Sequence, residues 1–149
     1  SYAAKAQNDV SICNIIENVS IATYCKGIVK NDPTFCDSLK NDGIDFADTC
    51  YFSVAWQTND QTNCEKINRA EDRNGCFHTV AVRNKDSVIC GAINRQYEKD
   101  YCLRAVESRK SQELKRLILY AQAVLLVLIL VSIFFLVRYK VRSSAKMIK

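Results

Sequence analysis

The chain has little of what most enzymes need. Of its 149 residues, one is histidine and four are glycine. It has no G-x-S-x-G elbow, no H-E-x-x-H and no phosphate-cradling glycine loop, which excludes the common nucleophile, zinc-hydrolase and nucleotide-binding motifs. No two cysteines are closer in sequence than Cys25 and Cys36. The C-x-x-C pairs of zinc, iron–sulfur and thioredoxin-like sites, and the C-x-x-C-H of haem attachment, are therefore missing. Net charge is also missing from most of the chain: residues 1–116 hold sixteen Lys or Arg and sixteen Asp or Glu, so the formal +5 resides beyond them. A neutral stretch argues against nucleic acid as a partner, because phosphate binding needs a basic stripe. These absences predict no catalytic residue, no cofactor, no metal and no small-molecule substrate. His78 is read as a solvated or interface residue, since a catalytic histidine needs an oriented partner.

What is present is a repeat of eight cysteines: Cys13, Cys25, Cys36, Cys50, Cys64, Cys76, Cys90 and Cys102. Asp9, Asp32, Asp60 and Asp86 stand four residues before each odd-numbered cysteine, and Ile16, Leu39, Ile67 and Ile93 three residues after it. Val29, Val54, Val80 and Val106 stand four residues after each even-numbered one. The phrase D-x-x-x-C-x-x-[I/L], a gap, then C-x-x-x-V thus occurs four times, in units one to four. Self-similarity at a fixed period marks a repeat architecture.

Each unit is long enough for a minimal helical hairpin. Aspartate is a preferred N-cap, because its carboxylate accepts from amides that the first helical turn leaves unpaired, and Pro33 follows Asp32 at the first helical position. Cysteine and valine four apart share one helical face. Asn18-Val19-Ser20, Asn41-Asp42-Gly43, Asn74-Gly75 and the region of Asn94 break the helix between paired cysteines. A disulfide closing each unit gives Cys13–Cys25, Cys36–Cys50, Cys64–Cys76 and Cys90–Cys102. The rival set Cys25–Cys36, Cys50–Cys64 and Cys76–Cys90 strands Cys13 with Cys102 at opposite ends. The predicted fold is all-α: a short α-solenoid of four stapled hairpins, residues 9–107, preceded by an N-terminal extension, residues 1–8.

Twin C-x9-C proteins of the mitochondrial intermembrane space differ in spacing, since the gaps here are eleven, thirteen, eleven and eleven residues and contain helix breakers. The repeated D-x-x-x-C-x-x-[I/L] and C-x-x-x-V resembles cysteine-stapled helical-hairpin arrays of predicted archaeal surface proteins, over residues 9–106. That resemblance implies a surface location and brings no defined activity.

Residues 117–137, LILYAQAVLLVLILVSIFFLV, carry no charge and are interrupted only by Gln122 and Ser132. Twenty or so apolar residues suffice to cross a bilayer, and Tyr120 and Tyr139 stand near the headgroup zones. Gln122 is either wetted at the interface or bonded to a partner helix. Basic residues flank the span almost evenly, so the cysteines decide orientation: all eight precede it, which places that side in an oxidising compartment. The basic tail, residues 138–149, then lies in the cytoplasm against anionic headgroups. The chain is read as a mature form, with no signal peptide before Ser1. Residues 108–116 contain no glycine or proline, so a helical connector is expected to run unbroken from about Gln96 into the membrane.

The function expected is a single-pass cell-membrane protein, its repeat domain a non-catalytic scaffold or accessory subunit of a larger membrane complex. The alternative is a stand-alone receptor or adhesion module for a protein or glycan. Membrane lipid and other subunits are the partners expected. Two and six residues after the second cysteine of unit two stand Phe52 and Trp56, with Phe46 and Tyr51 nearby. Other units carry Gly27 and Asn31, His78 and Val82, or Arg104 and Ser108 there. Phe52 and Trp56 are either packing between units two and three or a partner-binding patch. Asn18 heads the glycosylation sequon Asn18-Val19-Ser20.

Overall fold

The computed structural model describes the backbone of residues 9–42 and 44–147, and the side chains of residues 9–41 and 45–134. The expected extension, residues 1–8, lies outside the described residues, as do the side chains of the basic tail. The fold is all-helical, with no strand among the described residues. Two compact units divide between Arg109 and Lys110.

In the first compact unit every repeat has a short arm and a long one. The short arms are α1 (Ser11–Asn14), α3 (Thr34–Ser38), α5 (Thr62–Glu65) and, in unit four, a 3₁₀ turn (Ile89–Ala92). A further 3₁₀ turn (Leu39–Asp42) follows α3. The long arms are α2 (Val19–Lys30), α4 (Ile44–Thr58), α6 (Ala70–Asn84) and the start of α7 (Gln96–Met147). The two arms are unequal: the first is one turn in units one, three and four, and two turns, Thr34–Ser38 followed by Leu39–Asp42, in unit two. Its buried cysteine and aliphatic fill the space beside the long arm, and the few residues before the next break leave no room to propagate a helix.

The aspartates begin those turns. Asp9, Asp32, Asp60 and Asp86 each accept from the amide two residues on, those of Ser11, Thr34, Thr62 and Val88, at 2.8 to 2.9 Å. The residue before three of them ends the preceding long arm with positive φ: Asn31 at 54°, Asn59 at 57° and Lys85 at 56°. Asparagine tolerates this left-handed conformation and lysine less so. The Asp32 and Asp86 amides then donate back to Gly27 and Ala81 carbonyls, both at 3.0 Å, closing α2 and α6. One aspartate therefore ends one unit with its N–H and starts the next with its carboxylate.

The disulfides join Cys13–Cys25, Cys36–Cys50, Cys64–Cys76 and Cys90–Cys102, each within a unit. Each is worth about 3 kcal/mol for loops of this size. α2 packs on α4, and α4 on α6. One continuous core joins units two to four through Leu39, Tyr51, Val54, Ile67, Phe77, Val80, Ile93 and Val106. Unit one has a separate small cluster of Cys13, Cys25 and Val29, flanked by Val10, Ile12 and Ile16.

The second compact unit consists of the remainder of α7. α7 is one helix of 52 residues, and it is the one described helix long and apolar enough to cross a membrane. Its large apolar side chains between Leu117 and Phe134 are all exposed. Residues 135–137 of the expected span lie beyond the described side chains. Helix through this stretch follows from the absence of glycine and proline, whose costs elsewhere end helices.

Candidate interaction surface

α4 carries the aromatic residues of unit two. Ala47, Cys50, Tyr51, Val54 and Ala55 form its buried stripe, the spacing of a core-facing helix. Phe52 is partly buried against the core, and its ring edge lies 3.9 Å from where a Cβ on Gly75 would stand. It therefore sits between α4 and α6, opposite a residue with no side chain. Trp56, one turn on, is 42% exposed, with the Arg83 guanidinium 4.7 Å from its ring centroid. Phe46 does not join them. It lines a separate apolar groove of about 380 Å³ with Ile21, Tyr24, Asp45 and Thr49, between α2 and α4.

The position two residues after the second cysteine is thus a junction with the next unit, repeated with different chemistry. At unit one, a Cβ on Gly27 would stand 3.2 Å from Cys50 Sγ and 3.2 Å from Phe35 Cβ. At unit three, His78 stacks on Tyr101 of α7 with ring centroids 5.2 Å apart. Burial holds the His78 pKa below its ordinary value, because a low-dielectric site disfavours the charged imidazolium. Its Nε2 is buried with no hydrogen-bond partner among the described residues.

Tyr51 is fully buried at the unit two end of the core. Its hydroxyl donates to Asp37 Oδ1 at 2.5 Å, while the Lys40 and Lys66 ammonium groups stand 5.7 and 5.5 Å from its ring centroid. Burial and the Asp37 carboxylate push its pKa up to about 12. Asp37 is held below the usual carboxylate range by hydrogen bonds from Lys40 and Tyr51.

A second repeated contact joins the units and went unread in the sequence. Asp48, 1% exposed, accepts from the Asn68 and Arg69 amides, both at 2.9 Å. It thereby caps α6 from α4. The Arg69 guanidinium bridges Asp45 of the preceding unit at 2.5 Å and Asp72 of its own at 2.6 Å. One repeat later the Arg95 guanidinium bridges Glu71 and Glu98 at 3.2 and 3.1 Å. Asn74, at the place of Asp48, donates to Glu98 at 2.6 Å. The signal was available: Ile-Asn-Arg recurs at residues 67–69 and 93–95.

Asn18 is exposed and extended at the entry to α2, and its Oδ1 accepts from the Ile21 amide at 3.0 Å. All eight cysteines are in disulfides, and no cluster of three or more His, Cys, Asp or Glu disposed to hold a metal occurs among the described residues. No family model, curated protein or solved structure matches the chain.

Proposed function

We propose that this is a single-pass membrane protein whose four units stack as a short α-solenoid on the oxidising, extracytoplasmic side, serving as a non-catalytic scaffold or accessory subunit of a larger membrane complex. The carrying observation concerns the polar residues of the apolar helix. Ser132 Oγ donates to the Leu128 carbonyl at 2.8 Å, so that hydroxyl is satisfied within its own helix. The Gln122 side chain is exposed and makes no side-chain hydrogen bond among the described residues. An amide left unpaired in hydrocarbon costs several kcal/mol, whereas a polar group on a second helix satisfies it. The disulfides support the oxidising side. Repeat domains that offer extended surfaces support a binding rather than a chemical role.

The test is co-purification of the full chain in mild detergent, for the wild type and Gln122→Leu. The subunit reading expects companion membrane proteins with the wild type and their loss with the variant. Recovery of both forms as lone monomers sinks it. The receptor or adhesion reading is favoured by the Ile21, Tyr24 and Phe46 groove; it expects a ligand retained by Gln122→Leu and lost by Phe46→Ser.

A further inference from the structure

We infer that Asn18 carries an N-linked glycan that covers an apolar rim of unit one; the inference rests on the extracytoplasmic placement proposed above. The chain has eleven asparagines, and Asn18 is the one followed by a residue other than proline and then by serine or threonine. Its two amide atoms are committed differently. Oδ1 caps α2 through the Ile21 amide at 3.0 Å, while Nδ2, the atom that takes the sugar, makes no hydrogen bond among the described residues. Glycosylation leaves the carbonyl oxygen in place, so the cap and the modification coexist on one side chain.

The surroundings supply an independent observation. Ile15 and Val19, three residues before Asn18 and one after it, are 79% and 77% exposed, and Ile21 is 43% exposed. Three branched aliphatics open to water around one acceptor are a costly surface on a domain with so small a core in its first unit. The apolar faces of a sugar attached at Nδ2 remove part of that area from water.

The donor is a polyprenyl-phosphate-linked oligosaccharide. Nδ2 attacks the anomeric carbon, the new C–N bond forms as the C–O bond to phosphate breaks, and the phosphate leaves with the bonding pair. The lost Nδ2 proton passes to the transferase.

The experiment measures the intact mass of the full chain isolated from membranes of its own source cells. The wild type should exceed its sequence mass by a glycan, and both Ser20→Ala and Asn18→Asp should return to the sequence mass. Asn18→Asp keeps a capping oxygen, so its thermal midpoint should stay near that of unglycosylated Ser20→Ala. Enzymatic release of the glycan should raise the fluorescence of a dye that binds apolar surface for the wild type alone. A parallel variant, Gln96→Thr, places a second acceptor at exposed Asn94. Modification at Asn94 with none at Asn18 overturns this inference and leaves the topology standing. No modification at either position overturns both.

Discussion

Unit one and units two to four share a sequence phrase but not a way of holding together. Units two to four pool their buried residues in one core and are linked by Asp48 and by the Arg69 and Arg95 bridges. Unit one keeps its own cluster around Cys13 and Cys25. Where units three and four carry the arginine that reaches back to the preceding unit, unit two carries Asn41, five residues after Cys36, so no such bridge among the described residues ties unit two to unit one. The lesson is that the cysteine repeat sets the unit, while the residues between the cysteines decide how it joins its neighbour. Unit one joins through α2 on α4, with the Tyr24 and Ser53 hydroxyls 3.1 Å apart, and units two to four through a shared core.

Removing disulfides breaks the comparison most directly. Cys13–Cys25 and Cys64–Cys76 both close a separation of 12 residues, so loop entropy assigns each double alanine variant the same loss, about 3 kcal/mol. Hydrogen exchange should separate them: loss of Cys13–Cys25 should open residues 9–31 alone, and loss of Cys64–Cys76 should open units two to four together. Equal spread in both would show that unit one belongs to the shared core.

Asp48→Ala should cost about 2 kcal/mol in chemical denaturation, since the Asn68 and Arg69 amides lose the carboxyl group that caps them. Asp48→Asn should recover part of it. Gly27→Ala should cost about 1 kcal/mol, because the new methyl meets the Cys36–Cys50 bridge and Phe35 at a packed junction; Gly75→Ala, with only the Phe52 ring edge at 3.9 Å, should cost less. Lys85→Asn should stabilise by a few tenths of a kcal/mol, roughly 0.5, by placing a residue suited to positive φ where lysine stands.

The smallest effect concerns pH. Burial lowers the folded-state pKa of His78, so the folded chain favours the neutral ring. Its contribution is present above the unfolded value of about 6.5 and lost as pH falls through the lower folded value. Thermal midpoints measured on either side of that window should show the loss, and His78→Phe should remove it.

Much of this was legible beforehand, for physical reasons. Cysteine, valine and aspartate recur at fixed offsets because each depends on its own unit: a cap two residues away, or a face four residues along. Asn74-Gly75 was over-read as a break: it lies inside the helix Ala70–Asn84, where tertiary packing overrides weak helix propensity. Phe52 kept two readings because the residue that decides its place, Gly75, is 23 positions on and contributes no side chain. The arginine bridges were missed for a similar reason. Arg69 and Asp45 look like scattered surface charges until stacking sets them side by side, although the pattern returns 26 residues later in Arg95 and Glu71. Asn31-Asp32 and Asn59-Asp60 held a further signal, since asparagine before the cap matches a left-handed helix end.

The double use of Asp32 and Asp86 bears on where this chain tolerates being cut or lengthened. The visible start of each unit is the wrong place. An insertion just before the aspartate moves its amide out of register with the Gly27 or Ala81 carbonyl while its carboxylate stays with the turn it opens, so a single added residue disturbs the seam between two units. The break of unit one holds no such shared residue, and the Cys13–Cys25 bridge there still holds the ends together, whereas the breaks of units three and four carry the Asp48 cap and the arginine bridges. Shuffling or grafting these modules would therefore succeed across the turn inside unit one and fail at the seams between units.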